Sequence, residues 1–421
     1  MSESDEILRR FFEHHRWEKA LDGGVGKGIN RALLRLLAAP DTRIALYRAI
    51  KEGSYEISPP HTALIPKDTR GEWRTVYVNE PADRVILAIA NELLFELTPH
   101  RVHPACKSYV SGIGCGKVVG EVSKHVVQCD TSVVGWKSDL SKYFDSVPLQ
   151  YIDQAFDSVE QQYGKSALIQ LLRNYYHDDR YIDSQGNMAH KFMSLRQGCA
   201  VASWLADVLL YHIDDRLSQM DGYYVRYSDD MLFVGPDSQH AMEVLADELA
   251  KMGLRINPDK HEVLRSDQWF AFLGFSIRGN LISLSPHRIK KFQQHIDRLT
   301  ARATSMPQAT TRINRFLYHG RDDYSWATQV LPVINAKQDI DTLNAYVMDS
   351  IRAAHTGRHR IGGLGFDRQG KQGCIVRGRG RHVTNNRART TKELDSYLTL
   401  DCMRKAIKTS RAAYDTLVRQ L

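Results

Sequence analysis

Apolar residues recur at two different periods along the chain. In ADRVILAIANELLFEL (82–97), Ile86, Ile89, Ala90, Leu93, Leu94 and Leu97 follow the i, i+3, i+4, i+7 spacing of one helix face. CAVASWLADVLLYHIDDRL (199–217) reads as a second helix, with Leu205, Val208, Leu209, His212 and Ile213 on one side. A third opens at Ser238 as N-cap, buries Met242, Leu245, Leu249 and Met252, and closes at Gly253. Shorter β-prone runs lie between. HTALIPKDTRGEWRTVYVNEP reads as a hairpin turning through Asp68 to Gly71, and SVVGWKSDL (132–140) as a strand ending in Asp139. A helical region follows to about residue 175, then an exposed hairpin around Asp183 to Asn187. Residues 223–235 form two short β runs around Ser228, Asp229 and Asp230, and residues 262–284 are strands with a tight turn at Gly279-Asn280. Residues 1–60 are a helical lead-in ending at Pro59-Pro60, and the pattern becomes helical again after about residue 286. Helices mixed with hairpins in this way predict an α+β fold.

Composition narrows the class. The 421 residues are 43% hydrophobic and 25% charged, an ordinary globular balance with room for two or three domains. A net charge of +8 favours a polyanionic partner such as nucleic acid without requiring one. The charge is uneven: Arg352 to Lys392 holds eleven Lys and Arg against one acid, Asp367, with glycines between them. Such a stretch is either a solvated connector or a contact for a nucleic-acid backbone. The charged N-terminus, MSESDEILRRFFEHH, has no signal-peptide core, and no apolar run is long enough to span a membrane. The six cysteines include no CxxC pair and are expected as reduced thiols of a cytoplasmic protein. His100, His103 and Cys106 are spaced like metal ligands but lack a second cluster to complete a site. The glycine-rich SGIGCGK (111–117) lacks the ending of a nucleotide-binding P-loop.

The chemistry lies in carboxylates. In VRYSDDMLFVG (225–235) two aspartates sit side by side between apolar runs. Alone, such a pair is a polar turn. If the strand ending in Asp139 neighbours this hairpin in one sheet, three carboxylates converge, and clustered carboxylates suit hard divalent cations.

The stretch resembles the YxDD box of reverse transcriptases, and its neighbours fit the family in order. KSDLSKYFDSV (137–147) resembles the first palm motif and LRQGCAVAS (195–203) the QG motif. LRINPDKHEV (254–263) is similar to the lysine-bearing motif, FAFLGFSI (270–277) to the primer grip, and IPKDTRGEWRTVYVNEPADRVI (65–86) to the fingers segment of bacterial members. The resemblance implies a right-hand polymerase: lead-in 1–60, fingers 61–130, palm 131–285 with a fingers insertion at about 150–196, and a basic helical thumb-like region 286–421. It implies RNA-directed DNA synthesis from dNTPs, with Asp139 and Asp229 holding two Mg2+ ions (Mn2+ as an alternative) and Asp230 as third carboxylate. Main-chain N–H groups near Lys142 and Tyr143 would face the triphosphate, and Phe144 would exclude a 2′-hydroxyl. Gln197 and Gly198 would let substrate approach closely, and Lys67 and Arg74 would clamp the triphosphate unless they are solvated hairpin charges. Lys260 would protonate pyrophosphate or lie on the surface, and Phe272, Leu273 and Gly274 would hold the primer end, the first two equally suited to a sheet core. RINRFLYHG (312–320) loosely resembles the thumb segment of group II intron-like enzymes.

Departures refine the expectation. Ser228 stands where alanine is common, and Trp204 follows Ser203 where intron enzymes have proline. Neither a zinc-bearing endonuclease nor an RNase H pattern is found. The resemblance therefore narrows to stand-alone bacterial enzymes of antiphage defence, working on a dedicated noncoding RNA, with self-association left open. A maturase or RNA-binding scaffold, and a protein-primed or untemplated DNA polymerase, are the alternatives.

Overall fold

The computed structural model describes residues 5–22, 28–66, 72–110, 112–129, 133–319, 325–365, 374–377 and 399–419. They form two compact units, Met1–Ser111 with Gly135–Glu262, and Gly112–Val134 with Val263–Leu421. Helices and mainly antiparallel strands are mixed, with β1 and β4 a parallel pair, so the fold is α+β as predicted.

The first unit opens with α1 (Glu6–Phe11), α2 (His14–Asp22), α3 (Arg31–Ala38) and α4 (Pro40–Lys51). The strands β1 (His61–Pro66) and β2 (Trp73–Val78) pair antiparallel, from His61 opposite Val78 to Pro66 opposite Trp73. Their turn, with Lys67, lies outside the described residues. The apolar stripe of α5 (Pro81–Leu97) is buried as its periodicity requires, and Arg16 ties α2 to it through Glu96 at 2.7 Å. The helix α6 (Cys115–Gln128) belongs to the second unit.

Next come β3 (Val133–Asp139), α7 (Tyr143–Ser146), α8 (Leu149–Tyr163), α9 (Ala167–His177) and the hairpin β4 (Arg180–Ile182) and β5 (Met188–His190). This hairpin adds to β1, giving the sheet order β2-β1-β4-β5, so the inserted segment completes a sheet begun more than a hundred residues earlier. Then follow α10 (Val201–Val208), α11 (Tyr211–Ser218), β6 (Tyr223–Tyr227), β7 (Asp230–Val234) and α12 (Ser238–Lys251).

The single helix expected over 199–217 is broken between α10 and α11. The carbonyls of Ala206 and Asp207, which would carry the helix onward, accept instead from the guanidinium of Arg226 at 3.1 and 2.9 Å. The break changes the phase: His212, expected on the buried face, is exposed, and Asp214 is buried. The N-cap of α12 is Asp237 rather than Ser238, and its side chain makes no capping bond. The rest of that helix follows expectation, with Leu245, Leu249 and Met252 buried and Met242 half-buried.

The strands β6, β7 and β3 lie side by side and antiparallel. Gly135 on β3 is a glycine of necessity, because a Cβ there would run into the Phe233 carbonyl. Trp136 stacks on Phe233 at 6.0 Å, and its indole N–H donates to the Ser238 carbonyl at 2.7 Å, fixing β3 against the start of α12.

In the second unit, after β8 (Glu262–Arg265) at the boundary, β9 (Phe270–Phe272), β10 (Phe275–Arg278) and β11 (Leu281–Leu284) form a three-stranded sheet. Val118, Val119, Val122 and Val126 of α6 are buried, and Ser123 Oγ donates to the Gly279 carbonyl at 2.9 Å. The glycine sits at φ 53° in the expected tight turn. The helices α13 (Pro286–Ala301), α14 (Met306–Tyr318), α15 (Trp326–Val330) and α16 (Lys337–Thr356) follow, with helices Leu400–Thr409 and Arg411–Val418 at the end. Among the described residues the purely helical expectation fails at an antiparallel ribbon of β12 (Ile361–Gly365) and β13 (Cys374–Arg377). Its glycines suit close strand pairing and disfavour helix. Most of the basic stretch Arg352–Lys392 lies outside the described residues. Among the described residues no helix is long and apolar enough to cross a membrane.

Candidate active site

The register of the first unit brings the three aspartates together. Asp139, the last residue of β3, lies directly opposite Asp230, the first residue of β7, and Tyr227 is opposite Asp230 on the other side. Asp229 therefore occupies the turn itself with Ser228, which adopts a left-handed φ of 59°. Asp139 is buried, and its Oδ2 accepts from Lys260 Nζ at 2.7 Å. The lysine comes from a 3-10 turn, Pro258–Lys260, whose approach is fixed by the backbone. The N–H of Asn257 donates to the Asp139 carbonyl at 2.8 Å, and that of Ser141 to the Arg255 carbonyl at 2.9 Å.

Charge is out of balance here. Burial raises the Asp229 carboxyl above the usual carboxylate range, and the Asp139 carboxylate adds to it; Lys260 and Arg74 pull the other way. Burial followed by the charges of Asp229 and Asp139 pushes Asp230 up to about 6. Burial lowers the Lys260 amine, but its hydrogen bond to Asp139 and the surrounding carboxylates outweigh this and leave it above an ordinary lysine. Among the described residues no three His, Cys, Asp or Glu side chains form a ready-made metal cage. The donor set nonetheless fits a hard divalent cation, because magnesium characteristically takes one or two carboxylates and leaves other positions to water and phosphate oxygens. The mutual repulsion of Asp139, Asp229 and Asp230 is what such a cation would relieve.

The other predicted residues are placed as follows. Arg74 is exposed on β2, close enough for its charge to act on Asp229. Tyr143 has its side chain in the core, its hydroxyl donating to the Ala206 carbonyl at 3.1 Å, so only its main chain is available to a ligand. Lys142 before it has φ 50°. Phe144 is half-buried against Tyr143, and its carbonyl accepts from the Leu195 N–H at 3.1 Å, joining the first motif to the QG loop. The Gln197 carbonyl accepts from the Tyr77 N–H at 2.7 Å. Gly198 has φ 108°, and a Cβ there would come within 2.7 Å of the Tyr77 carbonyl. The glycine is thus demanded by the protein's own backbone, a reason separate from room for substrate. In the second unit Phe272 is buried in the sheet, while Leu273 at φ 48° and Gly274 at φ 80° form the turn into β10. Arg288 lies over the Phe275 ring, 4.7 Å from its centroid. His103 faces Asp215 at 3.8 Å and the Cys106 thiol lies against Ser108, so the three spaced candidates form no metal centre.

Sequence reasoning missed a buried hub behind the turn. Arg226, fully buried, grips Asp214 with two bonds, Nε to Oδ1 at 2.8 Å and Nη2 to Oδ2 at 2.6 Å. Burial works against its charge, and Asp214 more than restores it. Tyr224 donates to the same Asp214 Oδ1 at 2.9 Å, and Ser108 donates to Asp207 Oδ1 at 2.6 Å. Burial lifts Asp207 to about 6, against the pull of Arg226. The available signal was an arginine inside an otherwise apolar strand, VRY, where an unmatched charge would be costly.

Residues 65–277, just over half of the chain, match the family model "Reverse transcriptase (RNA-dependent DNA polymerase)". A COX1/OXI3 intron 2 protein of Saccharomyces cerevisiae is 20% identical over 330 residues, covering 65% of this chain; the chain spans only 38% of that relative's length. Among solved structures, apo telomerase from Candida tropicalis aligns with a TM-score of 0.42 and 12% identity, over 71% of this chain and 58% of that one. Telomerase from Candida albicans, in complex with a fragment of telomeric RNA, aligns at 0.41 and 12%, over 89% and 65%. With its family match spanning the strands, the turn and the QG loop that hold these residues, the chain belongs to the reverse transcriptase family.

Proposed function

We propose that the chain is an RNA-directed DNA polymerase that extends a primer with dNTPs by two-metal nucleotidyl transfer. The observation that carries this reading is the register: Asp139 opposite Asp230, with Asp229 at the turn between β6 and β7. Asp139 and Asp229 would hold two Mg2+ ions, with Mn2+ as an alternative, and Asp230 would support them. Bound divalent ions supply charge neutralisation at the attacking and leaving oxygens. The rest falls to side chains of the chain itself. Arg74, exposed and near Asp229, would meet triphosphate oxygens, with Lys67 assisting. Phe144 would sit under the sugar and select dNTPs over ribonucleotides. Lys260 Nζ would leave Asp139 to give its proton to pyrophosphate. Leu273 and Gly274 would hold the primer end. In this reading residues 61–130 with the 150–196 insertion act as fingers, 131–285 as palm and 286–421 as thumb.

The partner would be an RNA template, a dedicated noncoding RNA in bacterial antiphage defence. The match to an intron 2 protein favours a second reading, an intron-type maturase or RNA scaffold without turnover.

One preparation separates the two. Protein purified from its host is assayed for Mg2+-dependent dNTP incorporation, and its bound nucleic acid is sequenced. The polymerase reading expects incorporation on RNA, lowered about 1,000-fold or more by Asp229→Ala/Asp230→Ala. RNA bound equally well by both proteins, with no incorporation by either, would establish the scaffold instead.

A further inference from the structure

Ser228 is the pivot of the candidate site. A serine at its φ of 59° stays there only when its surroundings hold it. Both of its backbone polar groups are held by side chains from elsewhere in the first unit. Its N–H donates to Ser108 Oγ at 3.0 Å, and its carbonyl accepts from Arg226 Nη1 at 3.1 Å.

Neither holder is free to move. Ser108 is fully buried, with its hydroxyl proton donated to Asp207 Oδ1 at 2.6 Å and its Oγ 3.2 Å from the Cys106 sulfur. The strap that carries it is bonded along β6: the Arg226 N–H donates to the Ala105 carbonyl at 3.0 Å, and the Lys107 N–H to the Arg226 carbonyl at 2.8 Å. Arg226 has five N–H donors, and all are placed. Asp214 takes two, and the carbonyls of Ala206, Asp207 and Ser228 take one each. A bidentate pair with three further bonds has a single geometry, so the guanidinium is a fixed post.

We propose that Ser108 and Arg226 form a clamp that locks Ser228 in its left-handed conformation and so sets Asp229 against Asp139. In this role Ser108 is a positioning residue for divalent-ion binding. The inference rests on the proposed function only in taking these carboxylates as the metal site. Relaxing Ser228 towards an extended conformation would turn the Asp229 side chain away from its neighbour. Supporting contacts of this kind, when removed, cost about 10- to 100-fold in metal affinity or activity.

Ser108→Ala deletes one arm of the clamp without adding bulk, and Ser108→Thr keeps the hydroxyl. Mn2+ binding to the full chain, without substrate, is measured by electron paramagnetic resonance, beside thermal midpoints and dNTP kinetics. Ser108→Ala is expected to weaken Mn2+ binding about tenfold and lower kcat by about 10- to 100-fold, with the dNTP KM within about twofold and Thr restoring both. Unchanged Mn2+ affinity in the folded Ala variant would overturn the clamp, whether or not its thermal midpoint falls. If the wild-type protein binds Mn2+ but incorporates no dNTP, the polymerase reading fails, and the clamp is still decided by the Mn2+ titration.

Discussion

Two charged clusters share the β6–β7 hairpin and treat charge in opposite ways. Behind the turn, Arg226 meets Asp214 in a bidentate pair, and all of its donors are matched although the side chain is fully buried. At the turn, Asp139, Asp229 and Asp230 lie together with Lys260 bonded to Asp139, its side chain 60% exposed. The Arg226 guanidinium is saturated, although Asp207 beside it keeps one buried oxygen without a hydrogen bond; at the turn, burial and then the neighbouring carboxylates raise Asp229 and Asp230. A matched buried pair gives a fixed geometry. An unmatched cluster keeps a capacity for cations, at a cost to the unliganded fold. The saturated guanidinium holds the unsaturated turn in place, since Arg226 also grips the Ser228 carbonyl.

The largest effect should come from emptying the hub. Arg226→Ala leaves Asp214 buried without its cation, which costs about 3–5 kcal/mol when one partner of a buried pair is removed. Urea unfolding at neutral pH would read this as a large drop in midpoint. Arg226→Lys should recover only part of the loss, because an ammonium has three donors and no planar fork. Stability of Arg226→Ala within about 1 kcal/mol of wild type would break the comparison, making the hub as dispensable to folding as a surface pair.

The two clusters were unequally legible in the sequence. The turn announced itself, because adjacent aspartates between apolar runs are locally costly and stand out. The strand ending at Asp139 was readable as a β-prone run, and the register then brought it opposite Asp230. The hub was hidden because its members are 108, 207, 214 and 226, each unremarked in its own segment, joined only by tertiary structure. The helix over 199–217 shows the mechanism. Its periodicity was real on both sides of the break, but carbonyls that local rules assign to the next turn were captured by Arg226 from a later strand. His212, placed with the apolar face, is exposed, and Asp214 is buried. Local pattern governs where backbone groups bond locally, and a long-range donor overrides it. Gly198 was expected to leave room for substrate, and its close neighbour in the structure is the Tyr77 carbonyl, which no single-sequence pattern could identify.

The smaller and sharper test concerns the surplus charge itself. Asp230 carries a proton up to about pH 6 in the folded chain, against an ordinary carboxyl value of 3.8. Between those values the folded state binds more protons than the unfolded state, so stability falls as pH rises through the window and levels off above it. Asp230→Asn removes that titration while keeping the shape. In metal-free buffer at about pH 7.5 the Asn variant should be more stable than wild type by about 1–2 kcal/mol, a figure discounted for the partial exposure of the group. The gain should shrink on acidification and vanish below about pH 4, where Asp230 is protonated in both states. Added Mg2+ should narrow the gap from the other side, stabilising wild type more than the variant, because only the wild-type carboxylate set offers its full negative charge to the ion. Thermal unfolding across pH, with chelator and with Mg2+, reads all of this. An Asn variant no more stable than wild type in chelator would mean that Lys260 already balances the turn. The contrast between a saturated guanidinium and an unsaturated site would then fall.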